Sequence, residues 1–148
     1  SASAAELLAL LSVLADVPLK QNISITGSVS QRGEIQPIGG VNWKIEGFYK
    51  VCKARGLDGE QGVLIPKANV KDLMLKKEVV EAVQEGKFHV WAVGHADEAL
   101  ELLTGMPAGT RQPDGTFEAD SVNARVDETL RRLMETAKEL MKEGKGEE

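Results

Sequence analysis

Cysteine is nearly absent from this chain: Cys52 is the single one in 148 residues, which excludes an internal disulfide and suits a reducing cytosol. It falls on the apolar side of a predicted helix and reads as a small buried hydrophobe. Histidine is almost as scarce, and His89 and His95 with one cysteine lack any spacing that would hold a metal. No apolar run approaches the ~20 residues needed to cross a bilayer, and no ordered charged, apolar and small-residue segments mark a signal peptide. An anchor outside these residues stays open. The 18 basic residues are outnumbered by 23 acidic ones, giving a net charge of −5. No lysine and arginine cluster is dense enough to follow a phosphate backbone, so nucleic acid is not an expected partner. No internal repeat is present.

What is there is an ordinary globular balance, 42% hydrophobic and 28% charged, in a length that suits one domain with an appendage. From Ala2 to Ala15 apolar residues cover most of a helical circumference, which predicts a helix buried on nearly every side and ended by Pro18. Asn22 to Val29 alternates Ile23, Ile25 and Gly27 with Ser24, Thr26 and Ser28, the period of a half-buried strand. The turn Gln31-Arg32-Gly33 and a return over Glu34 to Ile38 predict a hairpin. After Gly39-Gly40, Ile45, Phe48, Val51 and Cys52 fall at helical spacing up to a stop at Gly56. A short strand at Val63-Leu64-Ile65 closes at Pro66. Lys77 to Gln84 reads as a helix with Val79, Val80 and Val83 inward, Phe88 to Val93 as a strand, and Ala96 to Leu103 as a helix. The alternation argues for a mixed sheet flanked by helices, in the α+β or α/β class. Glycines and prolines then break the pattern from Gly105 to Thr116. A charged helix from about Ser121 to Lys142 follows, with Val122, Val126, Leu130, Leu133, Ala137, Leu140 and Met141 on one stripe.

The chemistry lies between Thr26 and Lys44. Lys44 comes just past a double glycine, on the first turn of a predicted helix, where the helix N-terminus and any loss of solvent favour the neutral amine that a general base requires. Ser1, at the head of the first helix, is a hydroxyl that such a base could activate, and helix N–H groups there could meet an oxyanion. The bland readings are a helix cap for the Ser-x-Ser pattern of Ser1 and Ser3, an exposed strand residue for Thr26 and a solvated charge for Lys44. A Ser-His-Asp triad would need His89, which reads as a sheet residue, or His95, which precedes a helix as a cap and is followed by Asp97. Gly-Gly-x-x-Lys lacks the glycine interval and the Lys-Ser/Thr ending of a phosphate loop.

The ordered set Thr26-Gly27, Arg32-Gly33, Pro37-Ile38-Gly39-Gly40 and Lys44 resembles the proteolytic domain of Lon-type ATP-dependent proteases. Gly62-Val63-Leu64-Ile65-Pro66 with Asn69, and His95-Ala96-Asp97-Glu98-Ala99-Leu100, extend the resemblance. Ser121-Val122-Asn123-Ala124-Arg125-Val126 is similar to a tail of some Lon-like branches. The resemblance implies an α+β Lon protease-domain fold, a serine-type endopeptidase with Ser1 as nucleophile and Lys44 as base, and Thr26 as a supporting residue that hydrogen-bonds the lysine. It also implies protein substrates that are unfolded or damaged, a ring of six subunits, a cytoplasmic location, a half of the domain preceding Ser1, and an ATPase module upstream that would bind ATP and magnesium. No cofactor is implied for these residues themselves. Trp43 stands where the family usually has glutamate, and Ser3 where its commoner branch has glycine. On this division residues 1–104 are the C-terminal part of the peptidase domain, 105–119 a linker, and 120–148 an amphipathic helix and charged tail. The alternative is a non-catalytic assembly or adaptor module with the same fold.

Overall fold

The computed structural model describes residues 1–146 of the chain. Three parallel strands, β1 (Ile23–Ile25), β4 (Gly62–Pro66) and β5 (His89–Val93), form the central sheet in the order β1-β4-β5. Two short strands, β2 (Ser28–Val29) and β3 (Ile35–Gln36), make an antiparallel ribbon beside it. The architecture is α+β, with helices on both faces of the sheet.

Side chains alternate across a strand, and in β4 that alternation separates two cores. Leu64 faces α1 (Ser3–Ala15), α4 (Ala96–Thr104) and the start of α5 (Val122–Gly146), among Leu8, Val93, Leu100 and Val122. Val63 and Ile65 face α2 (Val41–Arg55) and α3 (Lys77–Gln84), among Ile45, Tyr49, Val79 and Phe88. Every residue of β4 is buried, which is why its sequence is an unbroken apolar run. Cys52 is buried in the second core as expected, and that burial, with Asp58 nearby, pushes its thiol above the usual range.

Three expectations change. The Asn22–Val29 run is not one strand: β1 stops at Ile25, the chain turns through Thr26-Gly27, and Ser28–Val29 joins the ribbon. The cause is α1, whose Ala4 N–H donates to the Gly27 carbonyl while Ser3 Oγ accepts from the Val29 N–H, pulling the chain out of the sheet. Helix α1 is buried along one side only, since Leu10 is 63% and Val13 79% exposed; its span ends at Ala15, where Asp16 turns left-handed. In α3 the inward residues are Val79 and Ala82, whereas Val80 and Val83 line an open apolar groove with Val70, Leu73, Leu75 and Val90. Helix α5 lays Val122 and Val126 on the first core, and Leu130, Leu133, Leu140 and Met141 of its stripe remain exposed.

Candidate functional site

In open parallel sheets ligands collect beyond the carboxyl ends of the strands. Thr26 lies at that end of β1. Its N–H donates to the Leu64 carbonyl at 3.0 Å, extending the ladder by one residue and burying the side chain to 8% exposure. The Thr26 hydroxyl accepts a hydrogen bond from Lys44 Nζ at 3.3 Å. Lys44 reaches it from the first turns of α2, whose preceding residue, Gly40, is left-handed at φ +71°. A side chain at Gly40 would be strained, so the double glycine sets where the helix begins and where Lys44 emerges.

Ser1 is brought to the same place by its backbone. Its carbonyl accepts from the Gly27 N–H at 2.9 Å, so the serine is moored to the residue next to Thr26. Ser1 is exposed and stands two residues before α1; neither it nor Ser3 caps that helix, whose flanking residue Ala2 makes no side-chain cap. Of the helix N–H groups expected to be free for an oxyanion, that of Ala4 is taken by Gly27. The loss of solvent expected around Lys44 is not met either, because its side chain lies exposed.

A second anchor is Asn69, which the sequence singles out only as part of the motif following Gly62–Pro66, without a role. Asn69, 2% exposed on a 3₁₀ turn over Lys67–Asp72, accepts from the Ile38 N–H at 2.9 Å and donates back to the Ile38 carbonyl at 3.0 Å. It also donates to Asp72 Oδ2 at 2.9 Å. Two backbone bonds from one amide hold the Pro37–Gly40 segment that delivers Lys44. Glu46, to which the sequence gives no pointer, is nearly buried and accepts from the Lys76 N–H at 3.2 Å, tying α2 to the loop before α3. Its apolar neighbours gave no hint of a buried carboxylate.

The histidines are structural in their contacts. His95 Nδ1 accepts from the Asp97 N–H at 3.1 Å, capping α4, and Nε2 donates to the Arg32 carbonyl at 3.0 Å, which fixes the turn of the ribbon. Gly33 has φ +84° and packs so closely that a methyl group there would come within 2.6 Å of His95 Nε2. His89 sits in β5, its Nε2 at 2.6 Å from the Gly59 carbonyl and its ring stacked on Trp91. Among the described residues, no group of three or more His, Cys, Asp or Glu side chains is placed to hold a metal ion.

The profile of the Lon protease (S16) C-terminal proteolytic domain matches residues 1–105. The chain belongs to that family. It is 60% identical over 103 residues to a protein named as a Lon protease homolog in Escherichia coli (strain K12), covering 70% of this chain and 18% of that relative. A like-named protein of Haemophilus influenzae is 43% identical over 126 residues, covering 85% of this chain and 21% of the relative. An archaeal Lon protease of Halobacterium salinarum is 38% identical over 108 residues, 72% of this chain and 14% of the relative. The chain thus spans about a fifth or less of the length of these relatives. Membership supports a peptidase function for the Lon domain, and no helix of the described residues is long and apolar enough to cross a membrane.

Proposed function

We propose that this chain carries the Ser-Lys catalytic dyad of a serine endopeptidase, with Ser1 as nucleophile, Lys44 as general base and Thr26 as the residue that aims the amine. The observation that carries the reading is the hydrogen bond from Lys44 Nζ to buried Thr26, one residue from the Gly27 N–H that holds Ser1. Neutral Lys44 takes the proton from the Ser1 hydroxyl as its oxygen attacks a peptide carbonyl carbon. The tetrahedral intermediate collapses, the C–N bond breaks, and Lys44 passes the proton to the leaving amine. Water then attacks the acyl ester, giving a proton to Lys44, and Ser1 regains one as the acid departs. A polypeptide bound across the site would cover the exposed Lys44 amine and exclude water from it.

In this reading the whole protein is ATP-dependent: an upstream ATPase module binds ATP and magnesium, unfolds damaged proteins and threads them to six such sites in a cytoplasmic ring. The bare Leu10 and Val13 on α1, and Leu130, Leu133 and Met141 on α5, support a chain packed by further protein, from the preceding half of the domain and from neighbouring subunits.

Hydrolysis of an unfolded substrate by the full-length protein tests the reading. Ser1→Ala is expected to abolish cleavage, and persistent cleavage would assign the nucleophile elsewhere. Thr26→Val removes the hydroxyl at nearly constant shape, and loss of one such hydrogen bond is expected to lower kcat about tenfold. Thr26→Ser should restore most of the rate with KM little changed. An unaltered kcat in Thr26→Val would make the contact incidental.

A further inference from the structure

We infer that the outer part of α5 pairs with α5 of a second copy of this chain, the two helices running antiparallel. The inner end of the helix is anchored, with Val122 and Val126 buried in the first core. From Arg131 to Gly146 every residue is exposed. A helix in water owes most of its stability to packing of an apolar face, and this stretch finds no such packing within its own chain.

The bare face has a specific spacing. Val126, Leu130, Leu133, Ala137 and Leu140 lie four, three, four and three residues apart, the repeat of a coiled-coil seam. Leu130, Leu133 and Leu140 of that seam are 49%, 52% and 63% exposed. Such a seam takes the side chains of another helix with the same repeat, and α5 of a second copy presents one equally uncovered.

Size and charge select the antiparallel arrangement. Centred near Glu135, it sets Leu133 against Ala137 of the second copy and Leu130 against Leu140, so that a large residue meets a small one in the middle layers. One flank of the seam carries Arg125 and Arg132 on its inner half and Glu139 and Glu143 on its outer half. None of these four forms an ion pair among the described residues. Reversing the second helix brings its Glu139 to Arg132 and its Glu143 to Arg125, and the two-fold axis repeats both pairs. On the other flank Asp127 already holds Arg131 at 3.0 Å, and Met134 meets Met134 of the second copy. A parallel pair would instead stack Ala137 on Ala137 and set Arg132 beside the flank that carries Arg131 and Lys138.

Sedimentation of the full-length protein beside its Leu133→Glu/Leu140→Glu variant provides the test. Both leucines lie outside the core, so the fold of the body is not at stake. The mass of the assembly is expected to halve, because a two-fold contact joins copies in pairs. Arg132→Glu should weaken the pairing, and Arg132→Glu/Glu139→Arg should restore it, since the exchange regenerates the same pair with its charges reversed. A short bis-maleimide should link the Met134→Cys variant to a second copy at that position, and should not link the Lys142→Cys variant, whose substitution lies away from the seam. An unchanged mass in the double-glutamate variant overturns the pairing. So does a halved mass without the link at position 134, which would assign the seam to a different partner.

Discussion

Replacing Lys44 with alanine is expected to lower peptide hydrolysis by the full-length protein at least about 10³-fold, the scale on which a positioned general base contributes. Stability should change modestly. Lys44 is exposed and forms no ion pair among the described residues, and its contact with Thr26 is one part-buried hydrogen bond, so the unfolding free energy should shift by about 0.5–1.5 kcal/mol. Lys44→Arg keeps the charge and much of the length, yet it should be as inactive as alanine because a guanidinium stays protonated and cannot accept the serine proton. An active Lys44→Arg enzyme would mean that the residue acts as a fixed charge and not as a base.

The second large effect is expected at Asn69. Alanine there orphans the Ile38 N–H and carbonyl together, and with about 1–3 kcal/mol for each group left unpaired the variant should lose roughly 2–6 kcal/mol. For a domain near 150 residues, at about 2–4 °C per kcal/mol, that corresponds to a fall in Tm of roughly 4–24 °C. Asn69→Asp keeps an acceptor for the Ile38 N–H but sets a carboxylate against the Ile38 carbonyl and Asp72, so it should be no better than alanine. Below the melting transition both variants should also lose kcat, because the Pro37–Gly40 segment that delivers Lys44 is no longer held. Thermal unfolding with a Tm equal to wild type would show that the amide clamp contributes nothing.

The contrast between Asn69 and Lys44 marks what sequence could and could not convey. Local periodicity placed the helix over Lys77–Gln84 and the all-buried strand ending at Pro66, because propensity, stop signals and burial there all point one way. It also gave His95 as a helix cap, a contact that spans two residues. Bonds across about thirty residues left no such trace: Asn69 to Ile38 and Glu46 to Lys76 are fixed by how α2 and its neighbours pack. The period-two run from Asn22 to Val29 continues unbroken in sequence, whereas in the fold it is cut at Thr26-Gly27 by α1. Hydrophobicity all around α1 predicts burial on nearly every side, but the same pattern belongs to a helix that leaves Leu10 and Val13 exposed. At the candidate site the residue types were legible in order. The resemblance also implies the Thr26–Lys44 hydrogen bond that the structure contains, whereas the backbone bond from the Gly27 N–H to the Ser1 carbonyl leaves no trace in the sequence.

The central claim is that Ser1 is a nucleophile activated by Lys44. Its most direct test is peptide mapping by mass spectrometry after treating the full-length protein and its Lys44→Ala variant with a serine-directed fluorophosphonate. The account predicts one phosphonyl adduct, on Ser1, in the wild type and none in Lys44→Ala. An unlabelled Ser1 in wild-type protein that cleaves peptides, or an adduct of equal extent in both proteins, would contradict it.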